Sequence, residues 1–327
     1  MSEKDRLQTE ERAVIARDLC RQAARLYEQA DYAAAQDRYE RALAIQEEVL
    51  GKEHPDTARS LHGLGRVRMA QGEDALARPL LEQALAIQES TLGPEHPDTA
   101  TSLHTLGEFE SNQGDLETGA SLMARAFISR QLALGSDHAD TLDSSILLAL
   151  ILSQQGEVAT AEQLLAHALS LCEAALGERH PTTARALNGL ARIYAADEAT
   201  FAQARSLYER ALASYGHLLG PDHPQTALIL NNLAELLTEM GEYGAALSYL
   251  ERSLAIHERV YGDGNWRTSF VLVNLADLHN RQGEHAAARP LLERALAIRA
   301  RAWGAQHKET INCQRKLEAT LRLPAGP

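Results

Sequence analysis

The most constraining feature of this chain is a glycine that recurs at a nearly fixed interval. The intervals are 42, 42, 42, 43, 42 and 42 residues, at Gly51, Gly93, Gly135, Gly177, Gly220, Gly262 and Gly304. Three residues later comes a histidine or, once, an asparagine, at His54, His96, His138, His180, His223, Asn265 and His307. A period this regular indicates one supersecondary unit stacked along the chain rather than a single globular core.

The composition limits the partners that such a stack would bind. The chain has 327 residues and a formal net charge of −13. Nucleic-acid binding relies on Lys and Arg at phosphates, so this charge argues against a nucleic-acid partner. The three cysteines form no CxxC pair, and the charged segment 1–12 lacks the apolar core of a signal peptide. Because no apolar run is long enough to span a bilayer, we predict a cytoplasmic protein without a membrane partner.

Each period contains two helical patterns separated by a turn. In the second period, apolar residues follow helical spacing on both sides of Gly72. The second pattern ends at Gly93, and glycine is favoured just past a helix because it tolerates left-handed backbone. Pro97 and Asp98 then supply residue types that begin a helix. The period therefore predicts a hairpin of a first helix, a tight turn and a second helix.

Three positions of the hairpin hold only small residues. They are Ala23, Gly65, Gly107, Ala149, Ala191, Ala234 and Ala276 in the first helix, Ala35, Ala77, Gly119, Ala161, Ala204, Ala246 and Ala288 early in the second, and Ala42, Ala84, Ala126, Ala168, Ala211, Ser253 and Ala295 late in the second. Small side chains let helix backbones approach closely, and a larger one there would overpack the contact at a cost of roughly 1–3 kcal/mol.

This pattern resembles the tetratricopeptide repeat, lengthened from its usual 34 residues. The segments at 42–47 and 92–100, and Leu230-Asn231-Asn232-Leu233-Ala234, resemble the repeats of kinesin light chains and of bacterial proteins with the same long period. The resemblance covers residues 13 to 322. It implies an all-α fold, a tetratricopeptide-repeat superhelix or solenoid of seven helical hairpins plus a C-terminal capping helix.

The predicted organisation follows the repeat boundaries. We expect an N-terminal extension or first-helix start at 1–12, seven repeats over 13–307, a capping helix at 308–323 and a tail at 324–327. The first helices are expected to begin near Glu11, Pro55, Pro97, Ala139, Pro181, Pro224 and Trp266. The fifth repeat lacks the turn glycine and carries one inserted residue, so a longer, looser turn is expected at 196–200.

In the family that the chain resembles, first helices line a concave groove, which identifies candidate peptide-binding residues. They are Arg59, His62, Arg66, His104, Glu108, Asn112, Ile146, Leu150, Arg185, Asn188, Arg192, Asn231, Asn232, Glu235, Asn274, Asp277 and Arg281. Arginines near the N-terminal end would favour acidic residues of a partner, because a guanidinium binds a carboxylate through paired hydrogen bonds. The alternative is that these positions are simply solvated.

Two further groups of the candidates have open interpretations. A side-chain amide can pair with the backbone of an extended peptide, and the resemblance to kinesin light chains implies this role for Asn188, Asn231 and Asn232. In the fourth repeat, Ile146 and Leu150 either form a pocket for an apolar side chain of the partner or pack internally.

The sequence contains no pattern that indicates catalysis or a bound cofactor. Gly63-Leu64-Gly65 lies in a predicted helix with no preceding strand, so it does not predict a nucleotide loop. There is no HExxH, Walker lysine or nucleophile elbow. His62 and His104 face the predicted groove, but no third ligand accompanies them, so we predict no metal site.

The predicted function is non-catalytic. We expect a scaffold or adaptor that holds an extended segment of a protein or peptide partner, one with acidic and apolar residues, in the groove. The alternative is a regulatory or sensor module that acts in trans on a separate effector or through self-association.

Overall fold

The computed structural model describes the backbone of residues 3–323 and the side chains of residues 9–323. The predicted tail at 324–327 lies outside the described residues. The helices are α1 (Glu3–Glu28), α2 (Tyr32–Val49), α3 (Pro55–Gln71), α4 (Asp74–Leu92), α5 (Pro97–Gln113), α6 (Leu116–Leu134), α7 (Ala139–Gln155), α8 (Val158–Ala175), α9 (Pro181–Tyr194), α10 (Phe201–Leu218), α11 (Pro224–Glu239), α12 (Tyr243–Tyr261), α13 (Trp266–Arg281), α14 (His285–Trp303) and α15 (Lys308–Leu321). The described residues contain no strand, which confirms the all-α prediction.

The helices pair in chain order within two compact units, which divide between Leu164 and Leu165. In the first unit, α1 packs on α2, α3 on α4 and α5 on α6, and α7 packs on α6. In the second unit, the pairs are α9 with α10, α11 with α12 and α13 with α14, and α15 packs on α14. First helices of successive repeats also contact one another, as α3 does with α5 and α11 with α13. Each unit is thus a stack of hairpins whose first helices share one side.

The predicted small positions are buried at these helix contacts. At the contact between α5 and α6, both positions are glycine. A Cβ atom built on Gly107 would lie 3.1 Å from the carbonyl oxygen of Gly119, and one built on Gly119 would lie 3.0 Å from the carbonyl oxygen of Gly107. The two backbones therefore touch directly, which confirms that this position is kept small for packing.

The recurring histidine is the N-cap of each following first helix. In His54, His96, His138, His180, His223 and His307, the Nδ1 atom accepts a hydrogen bond from the backbone N–H two residues later. The exception, Asn265, accepts the same bond through Oδ1 from the N–H of Arg267, at 3.0 Å. An N-terminal N–H has no partner inside its own helix, so every repeat places an acceptor at this position.

The cap predicts different effects for two substitutions of His96. His96→Ala should lower the free energy of unfolding by about 1 kcal/mol, because the Asp98 N–H loses its acceptor. His96→Asn should leave stability nearly unchanged, because an amide oxygen already serves at Asn265. Urea denaturation followed by circular dichroism measures both. Equal losses in the two variants would show that the imidazole ring, rather than the acceptor, stabilises the loop.

The start of the first helix and the character of one turn differ from the sequence prediction. The first helix begins at Glu3 rather than near Glu11, since no helix-breaking residue separates the two positions. The inserted turn of the fifth repeat is longer, as expected, but it is held by hydrogen bonds. It forms a 3-10 turn at Glu198–Thr200, capped by Asp197, and the hydroxyl of Thr200 donates to the carbonyl of Tyr194. The capping helix is present as α15, from Lys308 to Leu321.

The structure also contains a repeated buried polar position that the sequence analysis missed. Its occupants follow the repeat interval and are all buried, at Gln46, Gln88, Arg130, Cys172, Tyr215, His257 and Arg299. Arg130 donates from Nη1 to the carbonyl of Asp140 at 2.9 Å, and Arg299 donates from Nη1 to the carbonyl of Glu309 at 2.9 Å. Each of these arginines therefore connects a second helix to the first turn of the next repeat.

Candidate functional site

In the first unit, the predicted Arg59 is already paired with acidic side chains. The exposed Arg59 donates from Nη1 to Asp56 at 2.8 Å, and from Nε and Nη2 to Asp98 at 3.0 and 2.6 Å. Arg17 also contacts Asp56, at 3.6 Å. The charge of Arg59 is therefore largely compensated within the repeat, which weakens the expectation of an open docking site for acidic residues.

Arg66 is held differently, in a half-buried position on α3. Its guanidinium lies over the ring of Tyr27, 4.3 Å from the ring centre. Burial disfavours its charge, but Tyr27, Glu28 and Glu108 outweigh burial and keep the pKa of Arg66 above its ordinary value. Two of the predicted residues, Arg66 and Glu108, are thus close enough to interact electrostatically, and the aromatic face of Tyr27 also stabilises the cation.

The two predicted histidines belong to a hydrogen-bond network. His62 Nε2 lies 2.9 Å from the hydroxyl of Thr105. Arg130 donates from Nη1 to Nδ1 of His104 at 3.1 Å, and Nε2 of His104 lies 3.4 Å from Asp143. Because Nδ1 accepts a hydrogen bond from Arg130, neutral His104 carries its proton on Nε2, which faces the Asp143 carboxylate. These contacts position both rings as structural groups of the first unit.

The apolar candidates of the fourth repeat are divided by their burial. Ile146 is completely buried, so the expectation that it forms part of an open pocket is wrong. The apolar spacing could not distinguish a groove position from a core position, because α7 is apolar on most of its faces. Leu150 is half-buried and Asn112 is exposed, so both keep surface that a partner could contact.

In the second unit, four predicted asparagines form two hydrogen-bonded rungs between successive first helices. Asn232 on α11 donates from Nδ2 to Oδ1 of Asn188 on α9, at 2.9 Å. Asn274 on α13 donates from Nδ2 to Oδ1 of Asn231 on α11, at 3.1 Å. Asn188 and Asn231 are 6% and 7% exposed, whereas Asn232 and Asn274 are half-buried. We call these four residues the amide ladder.

Each rung joins the amino group of one amide to the oxygen of the other and leaves the remaining amino group and oxygen available. The Nδ2 group of Asn188 and the Oδ1 atom of Asn232 make no hydrogen bond to other described residues. The same is true of Asn231 Nδ2 and Asn274 Oδ1. Each rung therefore keeps one donor and one acceptor, which matches the N–H and C=O groups of an extended backbone.

Beside the ladder, α11, α13 and α15 line a cleft of about 460 Å³. Its lining residues are Glu235, Thr238, Glu239, Asn274, Asp277, Asn280, Arg281 and Lys316. The structure thus brings together four of the predicted residues, Glu235, Asn274, Asp277 and Arg281. The sequence analysis missed Lys316, although it lies one interval of 42 residues after Asn274 and two after Asn232 and could have been found by extending the alignment into α15.

The charged groups of the cleft are paired, with one exception. Asp277 pairs with Lys316, and Glu239 pairs with Arg281. Glu235 makes no ion pair or hydrogen bond with the described residues. Burial by the cleft wall raises the pKa of Glu235, and the neighbouring Asp277 and Glu239 add to the rise, while Arg192 and Lys316 oppose it. Glu235 is exposed and lines the cleft, so its carboxylate faces a concave space.

The other two candidates of the second unit lie on α9. Arg185 is half-buried and Arg192 is exposed. Arg192 is close enough to Glu235 to influence its pKa electrostatically, but the two groups do not form an ion pair. We therefore place Arg192 at the border of the cleft and Arg185 outside its lining.

Two kinds of site are absent from the described part of the chain. Over residues 9–323, no three His, Cys, Asp or Glu side chains are arranged to share a metal ion. None of the described helices combines the length and the apolar character needed to cross a membrane.

Comparison with known families identifies the fold. The family model described as Tetratricopeptide repeat matches residues 19–90, 64–118, 102–170, 144–200, 197–259 and 267–324. The chain is a tetratricopeptide-repeat protein. This assignment covers nearly the whole chain and agrees with the stacked hairpins, the small packing positions and the capping histidines. A search of curated protein sequences gives no match.

Solved structures of the same fold include kinesin light chain-like repeats. One is a Podosopora anserina protein assigned as a kinesin light chain, whose own TPR-like repeats are nearly identical to one another. Its sequence is 30% identical to this chain, and the match has a TM-score of 0.51 and covers 63% of this chain and 96% of that chain. BtubC (BKLC) from P. vanneervenii is 23% identical, with a TM-score of 0.51 over 71% and 91%. The Rap conjugation gene regulator of plasmid pLS20, solved with the Phr* peptide, is 16% identical, with a TM-score of 0.67 over 88% and 74%.

Proposed function

We propose that the second unit of this tetratricopeptide-repeat protein binds an extended segment of a partner protein, as a non-catalytic scaffold or adaptor. The observation that carries the proposal is the amide ladder. Its two rungs offer a donor and an acceptor on successive first helices, and such a series can pair with separate peptide groups along an extended backbone whatever the side chains. The Rap structure, which has the same fold, contains a bound peptide, and this supports the assignment.

The ladder is suited to this role because its rungs are preorganised. Each inner amide is held by a hydrogen bond to its neighbour, so little side-chain freedom is lost when a peptide binds. The adjoining cleft offers space for one side chain of the bound segment. Binding of this kind gives affinity through the backbone and selectivity through the cleft.

The test begins with selection from a displayed library of random peptides on the full chain. We expect ligands to be enriched, and the double variant Asn232→Ala with Asn274→Ala to bind them at least about tenfold more weakly, because several hydrogen bonds are lost. Isothermal titration calorimetry measures the affinity. Gln203→Ala, which removes an exposed amide from the second helix α10, is the matched control and should have no effect.

A second experiment changes the peptide and tests it on the wild type and on the double variant. Single N-methyl groups placed along the selected peptide remove backbone donors, and methylation opposite a rung should weaken binding to the wild type but not further weaken binding to the double variant. Failure to enrich any peptide, or equal losses for the ladder variant and Gln203→Ala, would contradict the proposed function.

A further inference from the structure

The cleft beside the amide ladder contains one carboxylate that forms no ion pair. Three acidic side chains, Glu235, Glu239 and Asp277, face two basic ones, Arg281 and Lys316. Arg281 and Lys316 each hold one of the acidic groups in an ion pair. The lining residues therefore carry one more negative than positive group, and the carboxylate left outside an ion pair is Glu235. Arg192 lies at the border of the cleft and acts on Glu235 electrostatically, but it forms no ion pair with it.

The chemistry of this arrangement selects one class of ligand. An anion would have to displace an existing carboxylate from Arg281 or Lys316 and would meet Glu235 as a like charge. A metal ion is disfavoured, because the described residues contain no group of three ligands positioned around it. A monovalent organic cation would supply the missing charge and would be attracted more strongly than in open water, because the cleft wall limits screening.

The position of Glu235 relative to the ladder connects the cation to a peptide. Glu235 follows Asn231 by four residues and Asn232 by three on α11, so the three side chains share one face of the helix. Asn274 belongs to a ladder rung and also lines the cleft. A backbone that is paired with the ladder at Asn274 therefore passes the mouth of the cleft, where its next inward-facing side chain would enter.

We propose that this cleft is a specificity pocket for a lysine or arginine side chain of the bound segment, with the Glu235 carboxylate as its partner. The inference rests on the proposed function and adds the chemistry of the ligand. It differs from the sequence-based expectation of an acidic partner, because that expectation relied on arginines of the first unit that are paired within the fold. A volume of about 460 Å³ accommodates either basic side chain together with water.

The experiment compares peptide selections on the wild type and on Glu235→Gln. The wild type should enrich peptides with Lys or Arg at one fixed position, whereas Glu235→Gln should still enrich peptides but lose that preference. The best wild-type peptide should bind Glu235→Gln at least about tenfold more weakly. The matched control is Glu251→Gln, which removes the same charge from an exposed site on α12 and should bind like the wild type.

A double-mutant cycle makes the assignment specific. Replacing the basic residue of the peptide by methionine should weaken binding to the wild type, but this peptide should bind the wild type and Glu235→Gln equally. Peptides that depend on the ladder but show no basic position would overturn the pocket and leave the proposed function intact. If no peptide is enriched by the wild type, both fail. An equal loss for Glu251→Gln would assign the effect to net charge alone and would also overturn the pocket.

Discussion

Acidification from pH 7 to pH 4 destabilises the first unit by roughly 3 kcal/mol through His62 alone, and His62→Gln removes this loss. His62 is half-buried on α3 and contacts the hydroxyl of Thr105. Burial, followed by electrostatic repulsion from the neighbouring Arg66, His104 and Arg130 positions, lowers the pKa of His62 to about 3. At pH values below the ordinary histidine pKa of about 6.5, His62 is protonated in the unfolded chain but stays neutral in the folded chain. Stability therefore falls by roughly 1.4 kcal/mol for each pH unit between these two values.

The measurement is the difference between variants, because carboxylates also titrate as the pH falls. Hydrogen exchange over α3–α5 gives the local opening free energy at each pH. Gln at position 62 has no titrating group and can still bond Thr105, so its profile should be flatter than that of the wild type. The control is His167→Gln, at an exposed position on α8, whose profile should follow the wild type. Parallel profiles for wild type and His62→Gln would contradict the assignment.

Gly63→Ala should destabilise the first unit by about 1–3 kcal/mol, although alanine is the better helix former. The reason is the ring of Tyr39, which lies against the α carbon of Gly63. A Cβ atom at this position would lie 2.3 Å from Cζ and 2.4 Å from Cε1 of Tyr39. Tyr39 is itself buried in a cluster with Leu64 and Val67, so the ring cannot move away without disturbing that cluster.

A glycine elsewhere in the chain provides the matched control. Gly216 also lies in a helix, α10, but nothing lies within 4 Å of the position that a Cβ atom would take there, so Gly216→Ala should stabilise the chain by roughly 0.5–1 kcal/mol. Circular dichroism follows both units, whereas tryptophan fluorescence reports on the second unit, because the chain's two tryptophans are Trp266 and Trp303. Gly63→Ala should lower the midpoint of the unfolding transition that circular dichroism records. Stability changes of the same sign in both variants would contradict the packing argument.

The fold was predictable because its determinants are local and repeated. The small positions, the glycine after each second helix and the capping histidines each satisfy a backbone or packing requirement that recurs in every repeat. The exception at Asn265 confirms the reason, since its amide accepts the same bond. The start of α1 was placed too late because no helix-breaking residue separates Glu3 from Glu11.

The candidate site was predictable only in part, because it depends on distances between helices. The sequence identified Asn188, Asn231 and Asn232 as amides for a peptide, but not that Asn188 and Asn232 bond to each other. The pairing of Arg59 with two carboxylates and the complete burial of Ile146 were likewise invisible in the sequence. A helical pattern gives the face on which a residue lies, whereas its partner depends on how neighbouring helices pack.

The buried polar position described above has a consequence for any attempt to recombine this chain. The packing alanines are nearly interchangeable from repeat to repeat, but Arg130 and Arg299 each meet a different set of neighbours. Arg130 donates to Ser144 on the following first helix, α7, whereas Arg299 donates to Ser269 on the preceding first helix, α13. A shuffled or duplicated hairpin would thus preserve its outward shape and still bring an unmatched polar group to the next junction. The interior of each module therefore specifies which module can follow it.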